Sequence, residues 1–238
     1  MQTRCPYADC RHRFDIESAE GTPRIVACSK CGRRCLPRPL TVCLQMDRQA
    51  DRLQERNQLV NAALLSRYIA AAAAPFVVVV EDVRSLWNVG SMFRTADGAG
   101  CSLLVLCGIT GCPPRKEIAK TSLGAEDNVP WLYAASVTDV VPILKDSGFQ
   151  IVGLEVSSGI DGLPESVALK EALAAKKVNT PLCLLVGNEV TGLSIEALSG
   201  CDLVCHLPMR GIKESLNVAV AFGIAAYDIA EEVAVRAT

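Results

Sequence analysis

Four cysteines near the N-terminus form two close pairs, Cys5-x4-Cys10 and Cys28-x2-Cys31, separated by 17 residues. Two such pairs, each on a tight turn, can converge four thiolates tetrahedrally on one Zn²⁺. Gly32, directly after the second pair, suits a knuckle whose backbone amides must turn towards sulfur. Cys35, Cys43 and His12 stand nearby as spare ligands. A segment this small, with few large apolar side chains, cannot fold on a core of its own, so metal would supply the stability. The competing reading is a set of free surface thiols.

Three further clusters lie in the rest of the chain. In Asn88-Val-Gly90-Ser-Met-Phe-Arg94-Thr-Ala96, the residues Val89, Met92, Phe93 and Ala96 recur at i, i+3, i+4 and i+7. They predict a helix facing a sheet, capped by Asn88 and stopped by Gly98. Gly90 and Arg94 share the adjacent face, the glycine leaving room for close approach. Alone, Arg94 reads as a solvated surface charge. The second cluster, Leu184-Leu-Val186-Gly187-Asn-Glu189-Val-Thr-Gly192-Leu-Ser194, ends an apolar run in a Gly-rich turn. Open α/β sheets bind ligands at the carboxyl ends of parallel strands, where Glu189 is a poor structural choice and a reasonable functional one. The third, Leu207-Pro-Met209-Arg-Gly211-Ile-Lys-Glu-Ser215-Leu216-Asn217-Val-Ala219, reads as a strand end, a loop and a helix capped by Ser215. Taken singly, the last two are ordinary βα loops.

The elements that must position these clusters are legible after Pro75. Apolar runs at Phe76–Glu81, Ser102–Cys107, Leu132–Ala134, Gln150–Leu154, Leu182–Val186 and Leu203–Leu207 predict short strands. Helices are expected between them, and a long one from about Ser215 to Ala234 closes the chain. Runs without polar alternation belong to strands buried on both faces, so the expected class is α/β, a parallel sheet covered by helices. Residues 1–43 would be a zinc ribbon, 44–75 a linker carrying one helix from Gln45 to Ala74, and 76–238 the large domain. The closing helix is apolar almost all round until Glu231, which calls for cover on more than one side.

At 238 residues the chain accommodates one full-sized core and a small appendage. With 50% hydrophobic and 21% charged residues, a soluble globular protein is expected. The net charge of −2 carries no global nucleic-acid signal. Its distribution is uneven: residues 1–43 hold eight Lys/Arg against four Asp/Glu, the remainder 16 against 22. Arg11, Arg13, Lys30, Arg33, Arg34 and Arg38 could therefore contact RNA phosphates. The Ala-rich run at Ile69–Ala74 is too short for a bilayer, and no membrane association is expected. Twelve cysteines without a secretory signal point to reduced thiols and a cytoplasmic home. The one G-x-G, Gly98-Ala-Gly100, follows a helix, which excludes a Rossmann cofactor loop.

In this order the three clusters resemble the signature motifs of the SpoU family within the SPOUT superfamily. The resemblance covers roughly Phe76–Asp228, and Ala119-Lys-Thr-Ser-Leu-Gly124-Ala is similar to the family's middle segment. It implies an RNA methyltransferase that moves a methyl group from S-adenosylmethionine to a ribose 2′-hydroxyl in tRNA or rRNA. It also implies a C-terminal trefoil knot, an exception to the rule of unknotted connections, and a homodimer. Cofactor contacts would come from Val186, Gly187, Leu207, Met209, Ser215, Leu216 and Asn217. The family's essential arginine falls on Arg94, supported by Asn88, Glu189 and Asn217. Guanidinium groups stay protonated at neutral pH, so Arg94 reads as a phosphate holder and a stabiliser of charge on the ribose oxygen. The general base is left unassigned. The rivals are a SPOUT-fold enzyme acting on a base nitrogen and an inactive zinc-ribbon RNA-binding protein. The first motif's Asn/Arg pair argues against the former, and the intact polar set against the latter.

Overall fold

The computed structural model describes residues 1–16, 25–70, 72, 75–157 and 163–237. At the N-terminus β1 (Gln2–Arg4) pairs antiparallel with β2 (Arg13–Asp15), and β3 (Val26–Ala27) with β4 (Arg34–Cys35). Each cysteine pair sits in the turn of one hairpin, so two short ladders aim four thiols at one point.

Two helices follow, α1 (Leu40–Gln54) and α2 (Ala62–Ile69). The single helix predicted over Gln45–Ala74 is therefore broken, and its Ala-rich end falls partly outside the described residues. Asn57 takes a left-handed φ of 54° at the break. The next residues run beside Tyr133, whose N–H donates to the Gln58 carbonyl at 2.7 Å while Val60 N–H donates to the Tyr133 carbonyl at 2.8 Å. Hydrogen bonding to a sheet edge replaces helical bonds here, and Asn61 then caps α2 by accepting from Leu64 N–H.

The large domain runs β5 (Phe76–Glu81), α3 (Leu86–Gly98), β6 (Leu103–Cys107), α4 (Lys116–Ser122), α5 (Ala125–Asn128), β7 (Trp131–Ala134), α6 (Val141–Asp146) and β8 (Gln150–Leu154). It continues with β9 (Val167–Ala168), α7 (Leu169–Ala174), β10 (Leu182–Val186), α8 (Ile195–Gly200), β11 (Leu203–His206) and α9 (Val218–Ala237). The strand order is β7-β6-β5-β10-β8-β11-β9, with every neighbouring pair parallel. β10 inserts between β5 and β8, and the chain then crosses to β11 beyond β8, the interleaving that the expected C-terminal knot requires. The two-residue edge strand β9 has no apolar run to announce it.

Alternate strand residues feed two cores. Val78, Val80, Leu104 and Leu106 pack with Phe93 and Phe222 on one face, and Val77, Val79, Leu103 and Val105 with Leu144 and Leu198 on the other. Every residue of β5, β6, β7 and β10 is buried, which is why their sequences show no polar alternation. Cys101, Cys107, Cys183, Cys201 and Cys205 are buried among them as small apolar fillers. Among the described residues no helix is long and apolar enough to cross a membrane.

The N-terminal unit is docked on this domain through two of its own basic residues, Arg11 and Arg38. Arg11 Nη2 lies 2.6 Å from Asp139 Oδ1, and Arg38 Nη2 lies 2.6 Å from Asp82 Oδ2 and 3.7 Å from Glu81 Oε1. Arg33 pairs with Asp9 and lies 4.1 Å over the Tyr7 ring. The basic patch read from composition is thus smaller than expected: Arg13, Lys30 and Arg34 remain exposed, while Arg11 and Arg38 are structural.

Candidate functional site

The thiols of Cys5, Cys10, Cys28 and Cys31 all lie within 4.8 Å of one another, with Cys5–Cys31 and Cys10–Cys28 each at 3.7 Å. Zn–S bonds of about 2.3 Å in tetrahedral array place sulfurs ~3.8 Å apart, so the four fit one such ion. Gly32 has the positive φ of 72° that the knuckle needs, and Lys30 N–H approaches Cys28 Sγ at 3.5 Å. The Arg33 guanidinium, donating to Cys31 Sγ, lowers that thiol to about 6, which favours thiolate. The three spare candidates are elsewhere: Cys35 and Cys43 are buried outside the cluster, and His12 stacks on Phe14.

At the carboxyl ends of β8, β10 and β11 the sheet opens into a cleft of about 390 Å³, within the ~300–1,000 Å³ usual for small-molecule sites. Val186, Gly187, Leu207, Met209, Ser215 and Leu216 line it, as does Glu189. The turn after β10 is closely built. A Cβ on Gly187 would sit 2.2 Å from the Gly192 carbonyl carbon, and Gly192 has φ of 66°. Asn188 Oδ1 accepts from Val190 N–H at 2.9 Å and Thr191 N–H at 3.0 Å. Glu155, just after β8, accepts from Leu193 N–H at 2.9 Å. Only glycine closes such a turn, and the closed turn presents backbone and the Glu189 side chain to the cleft.

Helix caps differ from expectation, with consequences for the site. Ser85, not Asn88, caps α3 by accepting from Asn88 N–H, so Asn88 lies within the first turn with its amide free. The turn after α3 is taken by Gly100, with φ of 70°, rather than by Gly98. Asn217, not Ser215, caps α9, its Oδ1 accepting from Ala219 N–H at 2.9 Å. Asn88 Nδ2 then donates to Glu189 Oε1, and Asn217 Nδ2 donates to Asn88 Oδ1 at 3.2 Å. Three of the four predicted catalytic residues thus meet beside the cleft, whereas Asn217 turns to Asn88 rather than lining it.

Arg94 stands apart from them. It is exposed, has no ion-pair partner among the described residues, and shares a shallow groove with Ser91, Asp97, Lys120 and Tyr227. The close approach permitted by Gly90 is used by α4: a Cβ there would lie 2.4 Å from the Ile118 carbonyl oxygen. Lys120 Nζ in turn lies 5.5 Å over the half-exposed ring of Trp87, next to Asn88.

Sequence reasoning missed the acidic residues behind the site. Glu81 ends β5, is buried, and accepts from Ser194 N–H at 2.9 Å and Ser194 Oγ at 2.8 Å. Burial pushes its carboxyl up to about 7, and Arg38 and the Ser194 donors limit the rise. A carboxylate directly at the end of a parallel strand was the available signal, and Glu81 and Glu155 both carry it.

The model of the SpoU rRNA Methylase family matches residues 75–227, well over half of the chain. A Bacillus subtilis protein named for the TrmH family of tRNA/rRNA methyltransferases is 28% identical over 65% of this chain and 58% of its own length. A Mycobacterium bovis protein named as a tRNA/rRNA methyltransferase is 34% identical over 66% of this chain and 52% of its own. The chain therefore spans little more than half the length of these relatives. The crystal structure of an AdoMet-bound rRNA methyltransferase from Sinorhizobium meliloti superposes with a TM-score of 0.59 at 28% identity, covering 67% of this chain and 57% of that one.

Proposed function

The chain belongs to the SpoU rRNA methylase family, and from that premise we propose that it transfers a methyl group from S-adenosylmethionine to a ribose 2′-hydroxyl in tRNA or rRNA. The observation that carries this reading is the meeting of Asn88, Glu189 and Asn217 beside the cleft. S-adenosylmethionine supplies an electrophilic methyl on a sulfonium. The cleft fits it: apolar Val186, Leu207, Met209 and Leu216 enclose a space bounded by the backbone of the Gly187–Gly192 turn.

The chain's own task is to hold a ribose oxygen in line with that methyl and to assist its attack. Glu189, oriented by Asn88, offers its remaining lone pairs to ribose hydroxyls. Arg94 grips the adjacent phosphate and stabilises charge developing on the oxygen. Arg94 and Lys120, which share one groove, and Trp87 beneath Lys120 supply a surface for RNA, cations for phosphates and an aromatic face for an unstacked base.

The cofactor set under this reading is S-adenosylmethionine and one zinc on Cys5, Cys10, Cys28 and Cys31. The working form is a homodimer joined through α9. Val220, Ile224 and Tyr227 stand exposed at i, i+4 and i+7 on that helix, an apolar stripe that a second copy would cover. Tyr227 belongs to the groove that holds Arg94, so the partner would close over the arginine.

Incubation of the protein with tritiated S-adenosylmethionine and RNA tests the activity. Label surviving in alkali-resistant dinucleotides supports ribose transfer. Label on a base defeats the 2′-hydroxyl assignment, and no transfer to any RNA defeats the enzyme reading.

A further inference from the structure

Arg38 belongs to the N-terminal unit, yet it reaches the interior of the large domain. We infer that it is a positioning residue for the cofactor loop, acting on Ser194 through Glu81. The inference rests on the reading that the cleft binds S-adenosylmethionine.

Glu81 is 2% exposed, at the end of the interior strand β5. Ser194 N–H and Oγ–H donate to its two oxygens, and Arg38 Nη2 lies 3.7 Å away, the one ion pair that Glu81 makes among the described residues. Ser194 ends the Gly187–Leu193 turn and caps α8, its Oγ accepting from Ala197 N–H at 3.1 Å. The Glu81 carboxylate therefore fixes the far end of the turn that walls the cleft. Two residues before Arg38, Leu36 N–H donates to Glu196 Oε1 at 3.0 Å, and Glu196 lies in the first turn of the same helix α8. One short segment after β4 thus holds the start of α8 at two points.

A carboxylate buried this deeply needs a counter-charge; without one it takes up a proton or moves towards water. Either response changes what Ser194 bonds to, and the turn before it loses its anchor. Glu155, from the end of β8, holds Leu193 N–H of the same turn, and among the described residues it has no hydrogen bond or ion pair to the N-terminal unit. Linkage requires the effect to be reciprocal: whatever orders the turn must tighten the hold on residues 36–38.

Calorimetric titration of the full-length protein with S-adenosylmethionine, without RNA, tests this. Arg38→Gln should weaken binding by about tenfold or more, and adding Glu81→Gln should recover at least about threefold of that loss, because of the two carboxylates that Arg38 pairs with only the more accessible Asp82 is then left charged. Unchanged affinity in Arg38→Gln, or a double variant no better than the single, overturns the inference. Hydrogen exchange of the wild type covers the case in which Arg38→Gln fails to fold. S-adenosylmethionine should protect the Leu36 and Arg38 amides together with those of 193–197, and protection confined to 187–193 overturns it too. A wild type that does not bind S-adenosylmethionine rejects the cofactor reading itself, and the inference falls with it. A wild type that binds while the variants and the exchange pattern are indifferent rejects the inference alone.

Discussion

The Asn88 side-chain amide donates to Glu189 and accepts, on its oxygen, from Asn217 at 3.2 Å. One amide thus ties together segments that are 101 and 129 residues away in sequence. Asn88→Asp removes the donor and sets a second carboxylate against Glu189. A hydrogen bond to a charged group is worth ~1.5–3 kcal/mol, so methyl transfer should fall roughly ten- to a hundredfold. Single-turnover methylation, with S-adenosylmethionine affinity measured alongside, checks this. Full activity would show that the network is not used.

Arg94→Ala should abolish transfer while leaving S-adenosylmethionine affinity within about twofold, because Arg94 lines a different groove from the cleft. Arg94→Lys should fail nearly as badly, an ammonium lacking the planar two-point grip of a guanidinium. The comparison of rate and affinity in both variants decides it. An active lysine variant would argue for a simple point charge.

Elemental analysis should find one zinc per chain. Stripping it with a chelator, or Cys28→Ser, should loosen the N-terminal hairpins, since metal binding and folding are coupled in such units. Arg38 follows directly from β4, so the stripped protein should also bind S-adenosylmethionine more weakly. Retained affinity after verified metal loss would uncouple the two.

Burial raises the Glu81 carboxyl from 4.5 to about 7. The folded chain then keeps a proton that the unfolded chain gives up between those values. Stability is highest below about 4.5 on this account and declines as pH rises towards 7, by up to roughly 3 kcal/mol. Glu81→Gln should flatten that decline. Urea unfolding of both proteins at pH 5 and pH 8 measures the difference, and equal slopes would exonerate Glu81.

Tyr227→Asp should convert a dimer to a monomer in sedimentation, with loss of methyl transfer, because it places a charge in the covered stripe. Phe222 is no test of that interface: it is fully buried in the chain's own core, so its replacement would test folding. A wild type that sediments as an active monomer at low micromolar concentration would remove the dimer.

The sheet was readable because strands buried on both faces leave uninterrupted apolar runs: Phe76–Glu81 and Leu182–Val186 are strands at the predicted boundaries. The paired cysteine spacing likewise named its cluster. Caps and breaks were less legible. Ser85 and Asn88 are both good capping residues three positions apart, and only which backbone N–H groups the fold leaves open decides between them. The interruption at Asn57 depends on a sheet edge at Tyr133, which lies far away in sequence. The burden on Arg38 was hidden for the same reason: a surface-type residue became an interior counter-ion through partners at Glu81 and Asp82.

Exchange of the N-terminal unit for another module meets an obstacle in that last feature. A chimera cut at the hairpin–helix junction would discard Arg38 and the Leu36 amide along with the foreign-facing surface. The graft would then leave Glu81 and Glu196 uncompensated under the new module. A transplant that keeps residues 36–38 of the recipient, or brings an arginine of equal reach, is the design the geometry permits.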